Sequence, residues 1–168
     1  MQGRERHGKL KRIFFSVGTH PLGFERLVKY FDELVAEGKL KAEVFGVIGT
    51  SAHIPRHFAW KKYVEEEEFI RELRKADIVV TQGGTGTILT AVLNRKPLII
   101  VPRRKKFHEH TDDHQLDAAH KMKESRKARV AETKAELLRA VLHPPRAGSA
   151  RKPVKIWSAI QNAMDTWQ

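Results

Sequence analysis

Between Asp77 and Leu89 an apolar run, Asp77-Ile78-Val79-Val80-Thr81, leads through Gln82 into Gly83-Gly84-Thr85-Gly86-Thr87, which opens directly into a helical pattern. Such a turn of small residues between a strand and a helix leaves the first backbone N–H groups of the helix without partners. They lie at the positive end of the helix dipole, and that combination suits a phosphate. A second apolar run, Pro97 to Pro102, follows the helix, and a loop rich in histidine and aspartate follows that.

The rest of the chain repeats this alternation. Ile13-Phe14-Phe15-Ser16-Val17 reads as a buried parallel strand ending in Gly18-Thr19. Phe24, Leu27, Val28, Phe31, Leu34 and Val35 then fall at three- and four-residue spacing, a helix that Gly38 closes. Val44 to Ile48 forms a second strand and Phe58 to Val64 holds a short third. Glu65 to Glu68 open a helix to Ala76, where four carboxylates complement the dipole. Beyond the central strand–helix–strand unit, Thr111 to Ser125 reads as helix, Ala128 to Ala131 as an edge strand and Glu132 to Leu142 as helix. Strands alternating with helices predict an α/β fold, a Rossmann-like parallel sheet flanked by helices with ligands at the strands' carboxyl ends.

Composition limits what this fold belongs to. The 168 residues predict one domain over 13–143, with a basic tail at 1–12, a linker at 144–152 and a last helix at 153–168. In that helix Val154, Trp157, Ile160, Met164 and Trp167 share a face, either packed on the sheet or docked on another chain. No apolar run is long enough for a bilayer, and the start, Met1 to Arg6, lacks the apolar stretch of a signal peptide. Zero cysteines exclude disulfides and a thiol nucleophile, and agree with a cytoplasmic location. The net charge of +12 predicts an anionic partner: nucleic acid, an acidic membrane surface or a phosphorylated substrate. Its clusters are Arg4 to Arg12, Arg103-Arg104-Lys105-Lys106 and Lys121 to Arg129; the second is expected at the mouth of a site.

Two familiar motifs are excluded. In the dinucleotide fingerprint a third glycine follows the first two, but Leu89 stands there, and no Lys-Ser or Lys-Thr pair makes a P-loop. His108, His110, Asp112, Asp113 and His114 would suit a zinc site, yet hydrogen bonding to a ligand and helix capping account for the same residues without metal. Metal is therefore not expected. His20 is a candidate base, with loop polarity as its plain alternative.

The segments Phe15 to His20, Phe24 to Val28, Ala76 to Ala91, Lys96 to Arg103 and Glu109 to Leu116, in this order and spacing, resemble the donor-binding half of family-28 glycosyltransferases of the GT-B fold. The likeness runs from Ile13 to Met122. It is greatest to small stand-alone members, the catalytic subunits of dolichol-pyrophosphate GlcNAc transferases and the soluble subunits of bacterial exopolysaccharide glycosyltransferase pairs.

The resemblance implies an inverting transfer of a sugar from a UDP-sugar to a lipid-linked pyrophosphate acceptor, in partnership with a membrane-associated subunit at the cytoplasmic face of the membrane. No tightly bound cofactor and no nucleic-acid partner are implied. Residue by residue, Gly84, Thr85, Gly86 and Thr87 would hold the diphosphate, with Gly83 also on the donor side. His114 and Gln115 would touch the donor sugar or its phosphate, and the backbone at Tyr63 and Val64 would read the uracil edge. Gly18, Thr19 and His20 would face the acceptor side, with His20 and His114 the catalytic candidates. Gln82 stands where the family usually has histidine, and Thr90, also on the donor side, where a two-domain relative has a ribose-binding glutamate. The two-domain enzymes carry their general base in the other half. The alternatives are a nucleic-acid-binding module and a metal-dependent hydrolase using the His-rich loop.

Overall fold

The computed structural model describes residues 11–124, 126 and 128–147. The basic tail to residue 10, most of the linker and the last helix expected from the sequence lie outside them. Six strands, β1 (Lys11–Ser16), β2 (Ala42–Val47), β3 (Ala59–Lys61), β4 (Ile78–Thr81), β5 (Leu98–Ile100) and β6 (Arg129–Val130), form one sheet in the order β3-β2-β1-β4-β5-β6. Every pairing is parallel. Among the described residues four α-helices lie between strands, α1 (Glu25–Ala36), α2 (Glu66–Lys75), α3 (Thr85–Leu93) and α4 (His114–Glu124), and α5 (Lys134–Leu142) follows β6.

Both faces of the sheet are covered, which is why the strands read as unbroken apolar runs. Ile13, Phe15, Ile78, Val80 and Ile99 pack with Leu27, Val28 and Phe31 of α1 and Leu137 and Val141 of α5. The alternate residues Phe14, Val79, Leu98 and Ile100 pack with Leu73 of α2, Ile88 and Val92 of α3 and Ala119 of α4. Strand order reverses between β1 and β4. Their chains leave the sheet in opposite directions, and a crevice opens at their carboxyl ends.

The elements differ from expectation mainly at their ends. β1 starts at Lys11, two residues earlier than the domain boundary placed at 13, because Lys11 and Arg12 pair with Ala42 and Glu43. α4 starts at His114, not Thr111, where Asp112 Oδ1 accepts the His114 N–H at 3.0 Å. α5 starts at Lys134 because Thr133 Oγ1 accepts the Glu136 N–H and Glu136 returns a bond to the Glu132 N–H. A 3-10 turn at Lys105–Phe107 was not legible in the sequence.

One carboxylate ties the β2–β3 loop to α1. Asp32 accepts the Arg56 and His57 N–H groups and both imidazoles, His53 Nε2 and His57 Nδ1, at 2.9–3.0 Å. Burial works to raise its pKa, but these four bonds outweigh burial and hold the group below its ordinary 3.8. A depressed carboxylate contributes stability that is present above 3.8 and is lost as pH falls through its lower folded value. The Asp32→Asn protein is expected to be less stable at pH 7 by about 1–3 kcal/mol, as for bonds to a charged group. Urea titrations should show its stability falling less steeply with acid below pH 4 than that of the parent.

Candidate functional site

The crevice at the β1/β4 switch point is a cleft of about 560 Å³. Its walls are Gly18 and Thr19 after β1, Tyr63, Val64, Glu66 and Phe69 at the start of α2, and Gly84, Thr85, Gly86, Thr87 and Thr90 on α3. Gln82 forms part of its floor. Nine residues singled out in the sequence therefore meet in one cavity, with Gly18 and Thr19 on the same cleft as the glycine-rich turn. Gly83, His20, His114 and Gln115 do not line it.

The three glycines of the turn have different reasons to be glycine. Gly83 holds φ +107°, a conformation that side chains rarely adopt. Gly84 occupies the N-cap of α3 in extended geometry, and no side chain caps the helix. The first intrahelical bond runs from the Ile88 N–H to Gly84 O, so the N–H groups of Thr85, Gly86 and Thr87 are left at the helix start. Gly86 is exposed, and a Cβ there would meet nothing within 4 Å. Its lack of a side chain serves no packing within the described residues and leaves the cleft open over these donors.

Gln82 adds a side-chain donor beside them. It is only 6% exposed. The Thr81 hydroxyl donates to its Oε1 at 2.8 Å, which turns the Nε2 end away between the two glycine loops. A Cβ on Gly18 would stand 2.2 Å from Nε2, and one on Gly84 would stand 2.6 Å from it. Among the described residues no acceptor pairs with that Nε2, and it faces the cleft. The Thr90 hydroxyl donates to Gly86 O at 2.8 Å, leaving its lone pairs for a donor such as a sugar hydroxyl. On the opposite wall, the Tyr63 and Val64 backbone groups bond to no other described residue, while Tyr63 is 57% exposed.

The histidines form a separate group beside the cleft. His20 lies against His110 with ring centroids 4.6 Å apart. Its Nδ1 accepts the Leu22 N–H at 3.1 Å, so the neutral ring carries its proton on Nε2. Burial, then the neighbouring His110 and Arg103, hold His20 below its ordinary value against the opposing Asp112. His114 is exposed, its Nε2 3.8 Å from Asp112. Among the described residues no three His, Asp or Glu side chains come together as a metal site.

The sequence matches the glycosyltransferase family 28 C-terminal domain over residues 12–156. The chain belongs to that family. No curated protein sequence matches it. Among solved structures, the solution structure of ALG13 is similar at a TM-score of 0.62 and 18% identity, covering 93% of this chain and 98% of that one. The glycosyltransferase of kitacinnamycin gives 0.59 and 18%, over 98% of this chain and 42% of that one. SsfS6 from Streptomyces sp. SF2575, complexed with thymidine diphosphate, gives 0.52 and 20%, over 94% and 38%. This family 28 domain thus spans about two fifths of the length of the larger glycosyltransferases and nearly all of ALG13.

Within the family 28 domain, the basic run at 103–106 does not line the cleft as expected. Arg103 is fully buried. Its guanidinium donates to Val17 O at 2.7 Å, Leu22 O at 2.7 Å, Gly23 O at 3.2 Å and Glu109 O at 2.9 Å. Burial pulls its pKa down to about 10, opposed by the nearby Glu109. Gln115 is also buried and works from beneath: its Oε1 accepts the Arg103 N–H at 3.2 Å, and its Cβ lies 3.5 Å from where a Gly83 Cβ would be. Gln115 therefore supports the turn from below the cleft. Arg104 pairs with Asp113 and Glu132. Sequence reasoning missed Arg103 because four consecutive basic residues look like a solvated surface. Proline before it and an apolar strand before that were the available hint. Arg103→Met would strand several buried carbonyls, each costing about 1–3 kcal/mol if water cannot reach it. The variant is expected to lose at least about 3 kcal/mol in urea denaturation, and Arg103→Lys, which cannot span the same four oxygens, to recover little of it.

Proposed function

We propose that this family 28 domain binds a UDP-sugar in the β1/β4 cleft and is the donor-binding, catalytic subunit of an inverting glycosyltransferase. The observation that carries the reading is the uncapped start of α3, its N–H groups joined by the Gln82 amide and left uncovered by Gly86. A neighbour of the same fold holds thymidine diphosphate, which supports a nucleoside diphosphate as ligand. The nucleoside would lie along Tyr63 and Val64, the ribose near Thr90 and the diphosphate at Gly84 to Thr87.

In the reaction an acceptor oxygen bonds to the anomeric carbon from the face opposite the departing UDP. The bond from that carbon to the β-phosphate oxygen breaks, and its electron pair leaves with UDP. Oriented N–H groups at a helix start stabilise that developing charge without reorganising. The acceptor is a polyprenyl-pyrophosphate lipid, and a membrane-associated subunit supplies its binding half and the base that takes the acceptor proton. The chain works at the cytoplasmic face of the membrane in polysaccharide or glycolipid synthesis; among the described residues no helix is long and apolar enough to cross it.

The donor site is tested by ligand-observed NMR with UDP and uridine. The parent should show saturation transfer to the uridine ring. Gly86→Val should keep its melting temperature, since among the described residues nothing lies within 4 Å of a Cβ placed there, and lose the UDP signal. Gln82→Glu, which replaces an amide donor by a carboxylate, should weaken UDP by about tenfold to a hundredfold and leave uridine unchanged. UDP binding undiminished in Gly86→Val rules the site out. For the partner, the apolar face containing Trp157 and Trp167 is the proposed docking surface; the Trp157→Ala/Trp167→Ala chain should no longer co-purify with the membrane subunit, and full retention would remove that assignment.

A further inference from the structure

A second surface opens on the same edge of the sheet but belongs to neither the cleft nor the core. After β5 the chain makes the 3-10 turn Lys105–Phe107 and reverses at His108, whose φ is +57°. Four consecutive residues, Lys105 to His108, are exposed. The turn is nonetheless fixed at both ends, by the buried Arg103 on one side and the buried Glu109 on the other. Glu109 accepts two bonds from Arg26, at 2.8 Å each, and one from the Arg104 N–H. The turn is therefore a rigid projection.

Its charge and its apolar group are arranged together. Phe107 is 48% exposed, with Arg26 4.9 Å and Lys106 4.8 Å from its ring centroid. One Arg103 nitrogen bonds both Leu22 O and Glu109 O, which ties the backbone before α1 to the end of this turn. Among the described residues no carboxylate lies within ion-pair distance of Lys105, Lys106 or Lys29 on the adjoining turn of α1. The neighbouring acids are already engaged: Glu25 with the Ala52 and His53 N–H groups, Glu33 with Lys134, and Asp113 with Arg104 and the Lys105 N–H. Lysines around a half-exposed aromatic ring match an anionic bilayer, where the ring sits at headgroup level and each lysine gains from the surface potential.

We infer that the Lys105–Phe107 turn is an interfacial anchor that seats the carboxyl edge of the sheet on an anionic membrane. The purpose of such an anchor rests on the lipid-acceptor reading above, because it would hold the donor cleft near the headgroups. Its test does not depend on that reading. A nucleic acid is the competing occupant, since an unpaired base can stack on an exposed ring among lysines, and the oligonucleotide arm of the test separates the two.

The chain has no cysteine, so Phe107→Cys carries a single thiol for an environment-sensitive nitrobenzoxadiazole label. Leu93→Cys, at the far end of α3 and 57% exposed, is the control on the opposite edge of the sheet. With vesicles of phosphatidylcholine and phosphatidylglycerol, the label at 107 should brighten and shift to the blue, and the label at 93 should not. Vesicles of phosphatidylcholine alone should change neither. In the otherwise native chain, Lys105→Glu/Lys106→Glu should lower co-sedimentation with the anionic vesicles by about tenfold or more and leave UDP binding intact. The inference is overturned by sedimentation with no response at 107, by equal responses at 107 and 93, by unchanged partition of the double variant, or by tighter binding of a single-stranded oligonucleotide at the same label. UDP binding without vesicle binding would remove the anchor and leave the donor site standing; vesicle binding without UDP binding would do the reverse.

Discussion

A single buried guanidinium fixes the upper edge of this sheet. Arg103 reaches four carbonyl oxygens on three segments: the end of β1, the loop before α1, and the turn that leads toward α4. Among the described residues no carboxylate hydrogen-bonds it and its Nε has no partner, so the charge rests mainly on backbone dipoles, with the Glu109 charge nearby. That arrangement is costly unless every oxygen is in place. The cost makes the geometry specific: loops that face the cleft and loops that carry the exposed basic turn cannot shift independently. Phe24 lies against the same guanidinium, 5.0 Å from its ring centroid, so the start of α1 is held to the same centre.

Below that edge the fold was legible in the sequence because both faces of a parallel sheet must be apolar. Ile78-Val79-Val80 and Leu98-Ile99-Ile100 leave no polar alternation that could suggest an exposed face, and the glycine and threonine that end β1 and β4 mark where the chain turns out of the sheet. What pattern could not supply was direction. His114 and Gln115 are adjacent and looked equally available; the start of α4 at His114 sends one to solvent and the other under Gly83. Arg103 was misread for the same reason. A basic residue's neighbours in sequence say nothing of the carbonyls that three distant segments bring to it.

The glycine-rich turn shows the same division between what spacing reveals and what only packing decides. Its run of small residues announces close approach, without saying to what. A side chain on Gly84 or Gly18 would meet the Gln82 amide, and Gly18 also holds φ +75°, whereas among the described residues nothing lies within 4 Å of a Cβ on Gly86. The first two glycines thus build the floor of the cleft, while the third only keeps it open. A space that the protein's own packing does not account for is best explained by something that enters it.

The groups around the start of α3 share one property: none of them is an ionisable side chain. The N–H groups at the start of α3 are fixed dipoles, the Gln82 amide does not ionise, and the hydroxyls of Thr87 and Thr90 remain neutral. His20, His110 and His114 stand outside the cleft wall, and burial, with His110 and Arg103 beside it, lowers the pKa of His20. Glutamine in place of a histidine at position 82 completes that separation, since an imidazole wedged between Gly18 and Gly84 would make anion affinity follow its protonation. The start of α3 therefore offers an anion the same field across the physiological range.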